Sequence, residues 1–389
     1  MSGKLSIIIP AYNEEGAIAD ILTRCLAARA PICAATGLAA VEVLVVDDGS
    51  RDKTRGIAGG FSEAKLISHP VNRGYGAALM TGFSAASGDY LSFLDADGTC
   101  DPLAFIDLYK ALEREKADMS VGNRMHSASQ MPRVRHFGNR IYAALISVLS
   151  GVRVEDSASG MRVFSRSLLP RLAPLPSGLH FTPAMTARVA CMGKRIVETP
   201  IPYAERQGRS KLSVFRDGLR FFRVILGIIF AYFPLRVFGP IGLLFLATAL
   251  AYAYAPVSFY LENHRLHEDV IYRLVTITTL CVCGLMALVF GLLGQKVSNI
   301  SVRRARGFID TAWLREGSIL SGAVLAVAGV LLNSRTIVEY ISSGRITTHW
   351  VYILTGSLLV ISGTLLLCMG IMLGILDHLP GTGAPAKTL

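Results

Sequence analysis

An α/β domain with a mostly parallel sheet, followed by an all-helical membrane domain, is what this sequence predicts, on three observations. Short apolar, β-branched runs alternate with helical stretches up to about residue 211. After about residue 221 the chain turns into long apolar segments of near-bilayer length. The 389 residues exceed one ordinary core, and 52% of them are hydrophobic against 17% charged, with a mean hydropathy of +0.46.

Residues 5–9 read as a buried strand ended by Pro10, and residues 13–15 open a helix to about residue 30, its first turn acidic as the helix dipole favours. Residues 41–46 form a second strand that ends in Asp47-Asp48-Gly49-Ser50, with Ser50 placed to cap the next helix. Residues 64–67 are a third strand, and residues 72–78 a glycine-bearing loop entering a helix to about residue 86. The strand 90–94 ends in Asp95 and Asp97, a helix starts at Pro102, and residues 118–121 are a further strand. Such alternation puts helices on both faces of the sheet.

In a parallel sheet the carboxyl ends of the strands face one crevice, where open α/β sheets bind ligands. Three polar clusters meet there: residues 10–15, Asp47-Asp48 and Asp95–Asp97. Carboxylates at i and i+2 can approach one hard cation from the same side, and Mg²⁺ or Mn²⁺ so held completes its shell with phosphate oxygens. A solvated Asp-Gly turn is the alternative. Asp48 is placed to accept hydrogen bonds from a base or ribose, or to support a helix cap. Tyr12 is placed to stack on a base, or simply to pack at a turn. Neither a G-x-G-x-x-G fingerprint nor a Walker G-x-x-x-x-G-K is present, which argues against dinucleotide and P-loop chemistry. The net charge of +11 suits anionic lipid and phosphate; no aromatic-plus-basic motif points to nucleic acid. The seven cysteines are scattered without metal-ligand spacing and read as thiols in a reducing compartment. The N-terminal apolar run is too short for a signal peptide, so the α/β half is expected in the cytoplasm.

Seven motifs in series carry a family resemblance. Pro10-Ala11-Tyr12-Asn13-Glu14-Glu15, Val46-Asp47-Asp48-Gly49-Ser50, Asn72-Arg73-Gly74-Tyr75-Gly76-Ala77-Ala78 and Asp95-Ala96-Asp97-Gly98 resemble the family 2 glycosyltransferases of GT-A fold. Gly122-Asn123-Arg124, Asp156-Ser157-Ala158-Ser159-Gly160-Met161-Arg162 and Arg206-Gln207-Gly208-Arg209-Ser210-Lys211 are similar to the corresponding segments of the dolichyl- or polyprenyl-phosphate sugar synthases. The resemblance covers roughly the first 220 residues. Met161 stands where those relatives usually have Phe, Arg206 and Lys211 are one residue closer than in the mannosyl synthases, and no glutamate stands near Ala184.

The resemblance implies a nucleotide-diphosphate sugar as donor, a polyprenyl or dolichyl phosphate as acceptor, Mg²⁺ or Mn²⁺ as cofactor, and inversion at the sugar carbon. It implies binding by Pro10, Tyr12, Glu14, Val46, Asp48, Asp95, Ala96, Asp97, Arg124, Arg206 and Lys211. The metal ligands are expected at Asp95 and Asp97, and the catalytic set at Asp95, Asp97, Asp156, Arg124 and Arg206. The chemistry agrees: a departing diphosphate needs its charge offset by a cation and by Arg or Lys. A phosphate monoester acceptor, with its second pKa near 6, is already an anion and needs no strong base. Arg135 and Arg140 form a second circle of cations. Asp156 is placed to orient the acceptor phosphate, to hold an arginine, or to cap a helix.

The organisation predicted is a cytoplasmic catalytic domain over 1–211, amphipathic juxtamembrane helices over 212–236, four membrane helices within 237–376 and a cytoplasmic tail over 377–389. Residues 212–233 read as a helix lying in the headgroup layer, with Arg216, Arg220 and Arg223 on one face, or as a basic helix packed on the soluble domain. Pro234 and Pro240 are expected to break it before spans at 237–256, 270–294, 317–332 and 350–376, the third somewhat short. The loop 295–316 holds Lys296, Arg303, Arg304, Arg306 and Arg315, which places it inside with the catalytic half. Two other functions stand beside the leading one. A processive polysaccharide synthase would carry a Gln-x-x-Arg-Trp motif, and neither Trp313 nor Trp350 follows an arginine. A non-catalytic lipid carrier or assembly partner would have no need of both Asp95 and Asp97. A homo-oligomer stays open.

Overall fold

The computed structural model describes residues 3–126, 129, 131–204, 214–263, 270–302 and 307–379, with backbone only for residues 214–216. Two compact units divide the chain, Met1–Ile229 and Phe230–Leu389.

In the first unit the apolar runs pair into one sheet. Its strands are β1 (Lys4–Ala11), β2 (Ala40–Asp47), β3 (Lys65–Ser68), β4 (Tyr90–Phe93), β5 (Met119–Asn123), β6 (Arg162–Ser165) and β7 (Ile196–Pro200). Their order is β3-β2-β1-β4-β6-β5-β7, and β6 alone runs antiparallel to its neighbours. The helices are α1 (Ile18–Thr36), α2 (Thr54–Gly59), α3 (Tyr75–Ala85), α4 (Phe105–Arg114), α5 (Arg133–Ser150), α6 (Leu169–Leu172), α7 (Phe181–Cys191) and α8 (Val214–Tyr232). Successive side chains of a strand point to opposite faces. Ile7 and Ile9 of β1 therefore share a core with Ile21, Leu22 and Leu108, while Ile8 joins Leu79, Phe83 and Met185 on the other side. Both faces are covered, which is why the centre of β1, Ile7-Ile8-Ile9, is apolar without a break; each such side chain stabilises by roughly 1.5–3 kcal/mol.

The structure departs from several sequence expectations. Helix α1 begins at Ile18 and not at Asn13, because Asn13 sits in the left-handed region at φ 50°. Residues 13–15 are instead fastened to the loop after β2. The Asn13 N–H donates to Ser50 Oγ at 3.0 Å, Glu14 N–H to Thr54 Oγ1 at 2.8 Å, and Arg51 N–H to Asn13 Oδ1 at 2.8 Å. Ser50 thus serves the neighbouring loop and does not cap α2; the Thr54 N–H is taken by Asp52 at 3.0 Å. Helix α1 also runs past residue 30 to Thr36 and contains Pro31.

The second unit holds α9 (Pro234–Asn263), α10 (Ile271–Val302), α11 (Ala312–Ser343) and α12 (Trp350–Asp377). All four are long and apolar enough to cross a membrane. Each is longer than the apolar segment expected, and the third, read as short, has 32 residues. Pro240 does not break the chain but lies inside α9, on its exposed side. α11 and α12 approach backbone to backbone: a Cβ on Gly322 would stand 2.8 Å from the Gly363 carbonyl oxygen. Near the ends of α10 and α12, the buried Lys296 donates to Asp310 and to Asp377, each at 2.6 Å, and Arg315 donates to the other Asp377 oxygen at 3.2 Å. Lys296 is therefore neutralised inside the helical unit and is not a free loop cation.

Candidate active site

Three parallel strands, β2, β1 and β4, end side by side, and the residues just past their carboxyl ends line one cavity of about 560 Å³. Strand β1 delivers Pro10, Tyr12 and Glu14, strand β2 delivers Asp48, and strand β4 delivers Asp95, Ala96 and Asp97. The Leu94 N–H still bonds the Ile8 carbonyl at 3.2 Å, so the chain leaves the sheet at the first carboxylate. Asp97 is buried, and its Oδ1 accepts from Thr99 Oγ1 at 2.7 Å and Thr99 N–H at 3.2 Å. Asp95 Oδ1 accepts from the Tyr75 hydroxyl at 2.7 Å. Burial, then the negative charge of Asp95, raise that phenol well above its ordinary pKa. Arg24 of α1 ties the turn down from outside through the Cys100 carbonyl at 3.1 Å.

Asp48 is buried and does more than face the cavity. It accepts from the N–H groups of Arg73 and Gly74 at 2.9 and 2.8 Å and pairs with His69 Nδ1 at 2.7 Å. Val46, expected among the binding residues, has its side chain wholly buried in the core with Phe83, outside the cavity lining.

Arg124 lines the cavity and is buried at 8% exposure. Asp156, behind it at 0%, does not reach the cavity. Asp156 grips Arg124 bidentately, Nε at 2.8 Å and Nη2 at 2.9 Å, and also takes the Arg124 N–H at 3.0 Å and Asn139 Nδ2 at 2.8 Å. Burial opposes both charges, but the pair outweighs it: the carboxyl is held below its ordinary range and the guanidinium above. Of the roles open to Asp156, holding an arginine is the one the geometry displays. The Tyr203 ring lies under the guanidinium at 5.3 Å. Beneath the loop 157–160, the fully buried Arg162 donates to the carbonyls of Ser159 and Ser157 at 3.1 and 2.9 Å, and burial lowers its pKa to about 10.

Arg135 joins the cavity; Arg140 is exposed on α5 and does not. Arg206 and Lys211 lie outside the described residues. The sequence reading missed the wall contributed by α5 and α8. Gly138, Asn139 and Tyr142 come from α5, and Asp217, Arg220 and Phe221 from α8. The Tyr142 hydroxyl donates to the Gly218 carbonyl at 2.8 Å and joins the two helices. The signal for α5 was its apolar spacing at Ala143, Ile146 and Leu149; the run Arg133–Arg140, rich in Arg, His, Gly and Asn, hides its start. His180 also faces the cavity, its pKa lowered by burial and then by Arg220, hence neutral at pH 7.

Residues 6–172 match the model of glycosyl transferase family 2. A dolichyl-phosphate hexose transferase of Haloferax volcanii is 32% identical over 218 residues, spanning 55% of this chain and 89% of that protein. The chain belongs to glycosyltransferase family 2. A second relative of this family 2 glycosyltransferase is the low-salt glycan biosynthesis hexosyltransferase Agl6 of the same organism, 29% identical over 357 residues, 87% of this chain and 81% of Agl6. An undecaprenyl-phosphate 4-deoxy-4-formamido-L-arabinose transferase of Sodalis glossinidius is 26% identical over 305 residues, 76% of this chain and 89% of that protein. The family 2 sheet is the GT-A-like, mostly parallel one described above, and the chain is a glycosyltransferase whose sequence continues into four apolar helices.

Proposed function

We propose that this glycosyltransferase moves one hexose, with inversion, from a GDP- or UDP-sugar to a polyprenyl or dolichyl phosphate at the cytoplasmic face of a membrane. The observation that carries the reading is the two-sided cavity. The wall made by the sheet ends is acidic, with Asp48, Asp95 and Asp97; the wall made by α5 and α8 carries Arg135 and Arg220 beside the apolar Val134 and Phe221, with Asp217 paired to Arg220 at 3.5 Å. Two relatives are named for such acceptors, dolichyl and undecaprenyl phosphate, which supports the same reading.

The donor set suits a divalent cation. Asp95 and Asp97 offer hard oxygen donors, and among the described residues no group of three or more His, Cys, Asp or Glu could hold a metal ion. A site limited to one or two carboxylates fits Mg²⁺ or Mn²⁺, which fill the remaining positions with water and phosphate oxygens, and does not fit zinc. When bound, the cation would supply charge stabilisation for a departing nucleoside diphosphate. The chain's own residues do the rest. Thr99 holds Asp97 in place, and Tyr12 and Asp48 stand at the strand ends where a base and ribose would be received. Arg135, Arg220 and, with Asp156 fixing it, Arg124 present positive charge to two anions that must come together. With Arg206 and Lys211 they form the acceptor-phosphate set. No side chain is needed as a strong base, because the acceptor oxygen is already ionised.

Exposed surfaces support placement at a membrane. Helix α5 bares Val134, Phe137, Ile141 and Val148, and α8 bares Leu219 and Phe222 beside Arg220 and Arg223. Apolar side chains interleaved with arginine suit the headgroup layer of an anionic leaflet. The test is sugar transfer by the detergent-purified protein given a short polyprenyl phosphate, Mg²⁺ or Mn²⁺ and a panel of GDP- and UDP-sugars. A monoglycosyl lipid formed from one donor, and lost on adding EDTA, is the expected result. No lipid product from any donor, with nucleotide still bound, would overturn the acceptor assignment.

A further inference from the structure

The 72–78 motif has two glycines and enters a helix, the setting of a phosphate cradle, yet the N–H groups of Arg73, Gly74, Gly76 and Ala77 are already engaged within the protein. Those of Gly76 and Ala77 both donate to the Ser177 carbonyl, at 2.6 and 3.1 Å. The glycines serve that close approach. Gly74 stands at φ 100°, and a Cβ on Gly76 would collide with the Pro176 carbonyl oxygen. The motif lines the cavity with Asn72, Gly74, Ala78 and, between the two glycines, the side chain of Tyr75.

The Tyr75 hydroxyl donates to Asp95 Oδ1 at 2.7 Å. The other oxygen, Oδ2, occupies the space where a side chain on Gly160 would begin. Asp95 lies just past a strand end, and a carboxylate there can turn about two side-chain torsions unless neighbours fix it. In this fold a donor from the start of α3 and a gap left by the glycine of the 156–162 motif fix it from two sides. The two segments are 85 residues apart in sequence (75 and 160) and converge on this one carboxylate.

We propose that Tyr75 is a positioning residue for the divalent-cation site: its hydroxyl, opposed by the bare backbone of Gly160, sets the orientation in which Asp95 meets the cation. This rests on the reading of Asp95 and Asp97 as that site. Hydrogen-bond partners of ligating groups typically change metal affinity about 10–100-fold when removed, because the ligand must then be ordered at the moment of binding.

The test uses the full-length detergent-solubilised protein and Mn²⁺ alone as probe, with free Mn²⁺ measured by electron paramagnetic resonance. Asp95→Asn is expected to abolish binding. Tyr75→Phe, which keeps the ring and its packing, is expected to raise the Mn²⁺ Kd about tenfold or more and to alter the line shape of the bound ion. Gly160→Ala, pressing on Asp95 from the opposite side, is expected to do the same and serves should Tyr75→Phe not fold. Asp95→Asn without effect on Mn²⁺ would overturn the cation reading, and this proposal with it. Loss of Mn²⁺ in Asp95→Asn with unchanged Kd and line shape in Tyr75→Phe and Gly160→Ala would overturn the role of Tyr75 alone.

Discussion

At the scale of single residues, the cavity separates groups that meet substrate from groups that hold them. Asp97 lines the cavity, and Asp97→Ala is expected to abolish turnover while leaving the thermal unfolding midpoint within a few degrees. Normal turnover in that variant would remove Asp97 from the site. Asp156 is of the second kind. Asp156→Ala leaves the Arg124 guanidinium buried without its carboxylate, a change that typically costs about 3–5 kcal/mol. The first unit should then melt lower by roughly ten degrees, at some 2–4 °C per kcal/mol for a domain of this size. Asp156→Ala melting like the parent would contradict the bidentate pair. The sequence shows such residues by type and spacing, which is why Asp48, Asp95, Asp97 and Arg124 were legible and do line one cavity. It does not show depth: Asp156 and Val46 carry the same motif signal as their neighbours and turn out to face inward.

At the scale of elements, the parallel strands were readable because a strand buried on both faces is apolar without interruption, as in Ile7-Ile8-Ile9 and Val43-Leu44-Val45-Val46. β6 has only four residues and β7 is half-buried along its length, so neither stands out from loop. At the opposite edge from the cavity, Glu42 of β2 binds Lys4, Ser6 and the Ser87 N–H and hydroxyl, which joins the starts of β1 and β2 to the turn before β4. Burial opposes its ionisation, but these donors together outweigh it and leave the carboxyl at about 2, below the ordinary 4.5. Folding therefore favours the ionised form, so its contribution is complete above about pH 4.5 and fades as pH falls toward 2. The urea midpoint of Glu42→Gln should lie below that of the parent at pH 6, with the gap narrowing below about pH 4. A gap independent of pH would mean that packing and not charge is what the variant lost. For α5, Phe137→Glu is expected to raise the KM for polyprenyl phosphate severalfold without changing nucleotide affinity. Equal effects on both would place Phe137 in the fold and not at a lipid surface.

At the scale of the whole molecule, the chain has two units that each bury their own side chains. The first relies on a sheet with two apolar faces, the second on four long helices with glycine-mediated contact. In detergent, Phe93→Ala removes a wholly buried ring from the first and is expected to cost it about 3–5 kcal/mol. Urea should then unfold the sheet earlier while the helical signal of the second unit persists; a single shifted transition would mean that the units unfold together. The division was legible from the change in hydropathy, whereas the helix ends were not, since polar residues such as Gln295, Lys296 and Ser298 continue α10 beyond its apolar stretch. The Lys296 arrangement has a practical corollary for anyone trimming this protein. Asp377 is the last residue of α12 and satisfies both Lys296 and Arg315. A chain cut at Leu376 would leave Lys296 with Asp310 alone and would take from Arg315 its partner on α12, so tags and fusions belong after Asp377.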